Sequence, residues 1–440
     1  MNDPRYTAIK VLLDNESSRT TLDQSLAKFS SRLDALSPRD RSLANLIIFG
    51  TLRWQGQLDW IIHSFSTRRL NQIRPVVLYI IRAALYQIIH MDRIPVFAAV
   101  NTAVSMAGKM AGKPAAGFVN AVLRNAGKNY SKVPLPDREK DPVLFLAASK
   151  SLPLWLSKSW ISTFGFENAL KICDAVNEIP GITIRANTLK TDRQTLASQL
   201  DPFVENLRFT EYSKEGISFT RPALPLSDME TFKQGFFQVQ DEGAQRIIPL
   251  LDPRPGETIL DACAGLGGKT GHAGQAMENK GCIHAWDIEK SKLLALASEM
   301  ERIGVSIVKP EQKDMLQPAD PIFQNYFDRV LLDAPCSGLG VLRRNPDAKW
   351  KRTKKDITRL SRMQKSMMLK AADLVRPGGR LVYAVCSCQP RENEAVIFSF
   401  LDKRKDFFLI HAEQKFLKTY PDTLSMDGFF AASLEKKHEF

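Results

Sequence analysis

Along residues 1–130 the apolar positions recur with the 3.6-residue period of a helix, in RSLANLIIFGTLRW, QLDWIIHSF, PVVLYIIRAALYQII and VFAAVNTAVSMA, and no stretch alternates as a strand would. Ser37 before Pro38 is a helix N-cap with proline in the first turn, and Pro75 and Pro95 open helices in the same way. Residues 131–142, SKVPLPDREKDP, carry three prolines and mixed charge and are expected to form a linker. Residues 143–245 mix the two periods: LPLWLSKSWISTFG and ENALKICDAVNE read as helices, ITIRANTL and FFQVQ as strands, and EGAQRIIPLL as helix.

From residue 256 onward short, near-continuously apolar runs alternate with helical stretches. The runs are TILDA, IHAWD, VSIVK, RVLLDA and RLVYAVC, each closing on a polar or small residue. That pattern predicts a parallel, doubly wound α/β sheet covered on both faces. The expected organisation is therefore an all-α domain over 1–130, a linker over 131–142, a small α+β domain over 143–245 and an α/β domain over 246–440.

Composition narrows the class of protein. The chain has 440 residues, 44% hydrophobic and 25% charged, the balance of a globular chain of a few domains. No run of 18 uncharged apolar residues exists, so no membrane partner is expected, and MNDPRYTAIK has no signal-peptide core. Six irregularly spaced cysteines argue for a reducing, cytoplasmic setting. The net charge of +13 is uneven: residues 1–130 carry +9, 131–340 carry −5, 341–370 carry +9 and 371–440 are neutral. Two basic zones suggest a polyanion held at two places.

The turn after TILDA contains the candidate cofactor loop. ILDACAGLGGKTGHA puts Asp261 at a strand end and Gly265, Gly267 and Gly268 in the turn, where the backbone can approach a ligand closely. Gly268-Lys269-Thr270 ends like a P-loop, but the glycine five residues before Gly268 is replaced by Cys263. A dinucleotide fingerprint fails too, because Thr270 stands at its last glycine. The remaining reading is the loop of an S-adenosylmethionine (SAM) methyltransferase. Asp287, at the tip of the second strand, is placed to accept ribose hydroxyls; Asp314 follows the third strand, and Asp333 ends the fourth.

DAPCSG and YAVCSC each put a cysteine, Cys336 and Cys386, just past an apolar strand at the ligand edge. The histidines show no metal-ligand spacing around them, so no metal is expected. A cysteine beside SAM has a specific use, since carbon 5 of cytosine is a poor nucleophile until a thiolate has added at carbon 6. An acid such as Asp333 at ring nitrogen 3 would stabilise the charge that develops.

DACAGLGGKT, DAPCSGLGVLRRNPDAKW, RPGGRLVYAVCSCQPRENE and DGFFAASLEKK resemble the RNA (cytosine-5) methyltransferases of the RsmB/Sun type. IRANTLK and FFQVQDEGAQ are similar to the motifs that precede that catalytic domain. SPRDRSLANLIIFGTLRW and VNTAVSMAGKMAGKPAAGFVNAVLRN resemble the NusB-like RNA-binding domain fused to this subgroup. The resemblance implies a Rossmann-like SAM-methyltransferase sheet, an all-α NusB-like N-terminal domain and a small α+β middle domain. It implies Cys386 as nucleophile, Cys336 as product-release group and base, and Asp333 at cytosine N3. SAM contacts fall on Cys263, Ala264, Gly265, Leu266, Gly267, Gly268, Lys269, Asp287, Asp314 and Asp333. Two positions depart from the pattern: Gly265-Leu266 stands where the family usually has Ala-Pro, and Val385 where it usually has Thr.

The basic residues Arg343, Arg344, Lys349, Lys351 and Arg352 follow directly after the Cys336 loop and are expected on RNA phosphates, with Lys354 and Lys355 beyond them. Arg68, Arg69, Lys109, Lys113, Arg124 and Lys128 are candidates for a second contact. The expected activity is SAM-dependent methylation of carbon 5 of a cytosine in small-subunit (16S) ribosomal RNA, by a cytoplasmic monomer. Two other readings stand beside it, a transfer RNA (cytosine-5) methyltransferase and a non-catalytic RNA-binding assembly or antitermination factor. An amino-group methyltransferase would carry an Asn/Asp-Pro-Pro-aromatic tetrad where this chain has DAPC.

Overall fold

A computed structural model describes residues 3–17, 21–410, 416–421 and 426–438. It divides into two compact units: the chain up to Glu178 together with Leu342–Lys351, and Ile179–Val341 together with Arg352 onward.

The first unit is helical throughout its described residues. Ser37 caps helix Pro38–Arg53 by accepting the Asp40 N–H, and Pro75 and Pro95 open Pro75–His90 and Val96–Ala111. The helix Pro75–His90 is buried over most of its circumference, and Ile80, Ile81, Leu85 and Tyr86 form the middle of an aliphatic core with Leu12, Ile48, Leu58 and Leu123. Helices Pro142–Ser149, Leu154–Phe164 and Phe166–Asn177 complete it. The ten residues Leu342–Lys351, expected within the α/β domain, belong to this unit instead. Trp350 Nε1 donates to Leu52 O at 2.6 Å, Lys351 Nζ to Asn15 Oδ1 at 2.6 Å, and Asp347 Oδ2 accepts the Leu22 N–H at 3.1 Å.

The second unit holds two sheets. The smaller is antiparallel, built from β1 (Ile182–Ala186), β2 (Glu205–Phe209), β3 (Gly216–Thr220) and β4 (Phe237–Val239) in the order β2-β3-β1-β4. β2 has no counterpart in the hydrophobic pattern, because the edge strand ENLRF is mostly exposed and gives no apolar run; β3, GISFT, is buried over its first four residues and is likewise absent from the expected strands.

The larger sheet contains β5 (Thr258–Asp261), β6 (Cys282–Asp287), β7 (Val308–Gln312), β8 (Phe327–Asp333), β9 (Val375–Val385), β10 (Phe407–Leu409), β11 (Leu417–Lys418) and β12 (Phe430–Lys436). Its order is β10-β12-β9-β8-β5-β6-β7, with β11 on β12. Strands β5 to β9 are parallel as expected, while β12 runs antiparallel to β9, so the sheet is mixed. β7 begins at Val308 rather than at Val305 and runs through Pro310. An edge strand tolerates this proline, since its missing N–H need face no neighbour. The chain leaves β5 toward β6 and β7 and then returns to place β8 on the other side of β5. That reversal makes the carboxyl ends of β5 and β8 the natural ligand crevice. None of the described helices is long and apolar enough to cross a membrane.

Candidate active site

The loop after β5 is held in shape by its neighbours. Gly265 has φ +56° and Gly267 φ +86°, backbone that glycine adopts without strain. A Cβ at Gly267 would lie 2.8 Å from Leu296 Cγ, whereas at Gly265 and Gly268 it would meet nothing within 4 Å. Where the family usually has alanine, Gly265 therefore suits the conformation the turn adopts. The Gly265 N–H donates to Asp287 Oδ2 at 3.0 Å, and Asp287 Oδ1 accepts the Glu289 N–H at 2.9 Å, so this carboxylate ties the tip of β6 to the loop. Helix Gly268–Ala276 starts at the end of the loop.

Three residues around this loop have roles the motif did not reveal. Asp261 Oδ2 accepts from the Thr270 hydroxyl at 2.7 Å, but its buried Oδ1 has no partner among the described residues. Burial, opposed by the Thr270 hydrogen bond, raises the Asp261 pKa to about 6. Arg185 on β1 is buried and donates to Gly268 O at 3.2 Å, to Gln275 Oε1 at 3.1 Å and to the side chains of Gln238 and Gln240. Burial, opposed by the charges of Glu215 and Glu299, lowers its pKa to about 9. Lys269 Nζ sits 2.6 Å from Asp333 Oδ2 at the end of β8. Burial disfavours the Lys269 charge, but Asp333, with a smaller part from Cys386, outweighs it and raises the pKa.

Beside that ion pair the two cysteines meet. Cys336 Sγ and Cys386 Sγ are 3.3 Å apart. The hydrogen bond with Cys386, then burial, push the Cys336 thiol well above its ordinary range. The Cys386 carbonyl accepts the Gly340 N–H at 3.0 Å, which fastens one cysteine loop to the other. Val385 is fully buried at the end of β9 in the apolar core. Cys263 is half-buried on the cofactor loop, and loss of solvent raises its thiol pKa well above the ordinary value; Leu266 is exposed. Asp314 accepts the Leu316 N–H at 2.8 Å and, with Trp286 and Met315, lines a cleft of about 550 Å³.

The residues expected on RNA separate sharply. Arg343 and Lys349 are each 1% exposed within the first unit, which removes them as phosphate contacts. Lys349 Nζ donates to Arg53 O at 2.6 Å and to Asn177 Oδ1 at 3.3 Å, and burial lowers its pKa to about 7. Arg344, Lys351 and Arg352 are half-buried, and Arg352 Nε donates to Ser337 O at 3.0 Å. Lys354 and Lys355 are exposed, as are Arg68, Arg69, Lys109, Lys113, Arg124 and Lys128 in the first unit. Among the described residues no three His, Cys, Asp or Glu side chains gather as a metal site.

These placements give a test of Lys349. Its folded pKa lies below that of an exposed lysine, so between about pH 7 and 10 the unfolded chain binds the extra proton and stability rises with pH. The melting temperature should climb from pH 7 to pH 9, and Lys349→Met should flatten that climb while leaving the salt dependence of RNA binding unchanged. A weaker salt dependence in the variant would put Lys349 back on the RNA.

A mixed sheet with parallel strands β5 to β9, a glycine loop after β5, a carboxylate at the tip of β6 and cysteines past the ends of β8 and β9 has the arrangement of a SAM-dependent methyltransferase. Residues 248–435 match the family described as 16S rRNA methyltransferase RsmB/F, residues 2–128 the NusB family, and residues 152–224 a ferredoxin-like domain of RsmF/B-like methyltransferases. A Bacillus subtilis (strain 168) protein named "Probable ribosomal RNA small subunit methyltransferase B" is 33% identical over 98% of each chain. The ribosomal RNA small subunit methyltransferase B of Escherichia coli O6:K15:H31 (strain 536 / UPEC) is 32% identical over 91% of this chain and 92% of its own. The crystal structure of PH0851 superposes with a TM-score of 0.83, at 26% identity and 99% coverage of both chains. The NSun6 structure from Pyrococcus horikoshii with SFG gives a TM-score of 0.59 at 26% identity, over 66% of this chain and all of that one. The chain belongs to the RsmB/F methyltransferase family.

Proposed function

We propose that the protein methylates carbon 5 of a cytosine in small-subunit ribosomal RNA, as a cytoplasmic monomer, through a covalent link between Cys386 and carbon 6 of the base. The observation that carries this reading is the pair of sulfurs 3.3 Å apart at the ends of two neighbouring parallel strands, beside the Lys269–Asp333 ion pair. Two converging thiols and a half-buried cation–carboxylate pair match what addition to a pyrimidine ring needs, namely a nucleophile, a group at ring nitrogen 3 and a second group for the carbon-5 proton.

The residues around the loop fit SAM. Asp261 offers an unpartnered buried carboxylate oxygen to the amino group of the methionine part, Asp287 has lone pairs left for ribose hydroxyls, and Gly265 and Gly268 leave open space beside the backbone. Cys263, Ala264, Leu266, Gly267 and Asp314 complete that lining in this reading. When bound, SAM supplies the methyl group. Cys386 adds through Sγ to carbon 6, making carbon 5 nucleophilic. Ring nitrogen 3 is an acceptor, so it takes a proton from the Lys269–Asp333 pair, with Asp333 at that nitrogen, as electrons move onto the ring. Release requires the carbon-5 proton to leave and the carbon 6–sulfur bond to break, its electron pair returning to Cys386; Cys336, once it has lost its own proton to solvent, is the group placed to take that proton. The exposed Lys354 and Lys355, and separately the exposed cations of the first unit, hold phosphates.

Mass mapping of 5-methylcytosine in ribosomal RNA from cells with and without the protein tests the activity. One small-subunit cytosine should lose its methyl group in the deletion; loss from transfer RNA instead would reassign the substrate. Cofactor binding gives a second test. Protonation of Asp261 removes the acceptor for the amino group, so SAM affinity should fall about tenfold per pH unit below about pH 6. Calorimetric titration should show this slope in the natural protein, and a weaker, flat profile in Asp261→Asn. A slope that survives the substitution would exclude Asp261.

A further inference from the structure

Both cysteine loops close on one carboxylate. Ser337, next to Cys336, donates its N–H to Glu392 Oε1 at 2.9 Å and its hydroxyl to Oε2 at 2.6 Å. Ser387, next to Cys386, donates its hydroxyl to the same Oε2 at 2.6 Å, and Gln364 Nε2 donates to Oε1 at 3.1 Å. The two serine oxygens are 3.1 Å apart, directly behind sulfurs that are 3.3 Å apart. Glu392 is fully buried, and its own backbone is fixed: its carbonyl accepts the Tyr383 hydroxyl at 2.6 Å and its N–H donates to Gln389 O at 2.9 Å. A carboxylate that takes four donors from three segments can dictate the distance between two of them.

We propose that Glu392 is a positioning residue for the reaction: it sets the separation of the two sulfurs through Ser337 and Ser387, and its charge keeps their shared proton on Cys336, so that Cys386 meets the base as nucleophile. This inference rests on the roles given to the two cysteines above. The charged and titratable groups around Cys336 are Cys386, Glu392, Asp333, Lys269 and Tyr383. The negative charge of Glu392 acts in the same direction as the hydrogen bond and the burial that raise the Cys336 thiol. Gln at position 392 would fill nearly the same space without the charge, and its amide N–H groups would oppose the donors that Glu392 accepts.

The test uses the full-length protein. Iodoacetamide labelling of Cys336 and Cys386 between pH 6 and 10 is quantified by peptide mass spectrometry, alongside single-turnover methyl transfer to unmodified small-subunit RNA. In Glu392→Gln the onset of Cys336 labelling should move down by about one pH unit, roughly tenfold more labelling at a fixed pH. The single-turnover rate should fall at least about tenfold with the RNA KM within twofold. Ser387→Ala keeps the charge and loosens one loop, so it should slow transfer while leaving the Cys336 profile in place; Glu392→Asp should restore most of that profile. A Glu392→Gln protein with the natural labelling profile overturns the inference, whether or not its rate falls. If Glu392→Gln fails to fold, natural rates in both Ser337→Ala and Ser387→Ala overturn it instead. A natural protein that makes no 5-methylcytosine refutes the activity and leaves the labelling result to stand; intact methylation with unmoved labelling refutes the role of Glu392 alone.

Discussion

Cys336→Ala is expected to accumulate a covalent protein–RNA adduct, visible as a slow band on a denaturing gel and removed by ribonuclease. In the proposed mechanism the variant keeps the Cys386 sulfur that adds to carbon 6 but lacks the neighbour 3.3 Å away that would assist release. Cys386→Ala should give no adduct and should lower methyl transfer by about 10⁴-fold or to background, because the ring is then never activated. The reverse pattern would exchange the two roles. No adduct from either variant, with methylation retained in both, would sink the covalent route.

Lys269→Met should have the next largest effect. It removes the cation 2.6 Å from Asp333 and leaves that carboxylate facing the base site without a counter-charge. Losing one preorganised electrostatic partner costs about 10²–10³ in rate, roughly 3–4 kcal/mol of transition-state stabilisation. The substitution should fall mainly on kcat. SAM affinity, read by calorimetry, should change less than about threefold if Lys269 serves the base rather than the cofactor. A large loss of SAM affinity at an unchanged single-turnover rate would return Lys269 to the cofactor contacts its place in the loop suggested.

The positions of the two sulfurs, the glycine turn and the strand-end acids were legible in the sequence because each sits at a fixed offset from an apolar strand. In a parallel sheet that offset fixes which edge a residue reaches. Arg185 and Glu392 were not legible. Arg185 meets Gly268 and Gln275, 83 and 90 positions away, and Glu392 meets Ser337 across 55 positions, distances over which periodicity carries no information. Arg343 and Lys349 failed for another reason. A run of basic residues reports charge but not direction, and their chain segment turns inward among the helices of the first unit. β12 was invisible as a strand because an antiparallel return at the end of a parallel sheet follows no helix-strand alternation.

The placement of Leu342–Lys351 has a consequence for how the protein is made. The N-terminal helices emerge from the ribosome first, but four of the groups that satisfy them, on Asp347, Lys349, Trp350 and Lys351, are encoded about 170 residues after Glu178. The first unit therefore cannot reach its final state until most of the second has been synthesised. A fragment ending at Glu178 should melt at lower temperature than the same unit in the full chain. The order of synthesis and the order of completion are inverted, and the nascent helices wait for a late segment to close them.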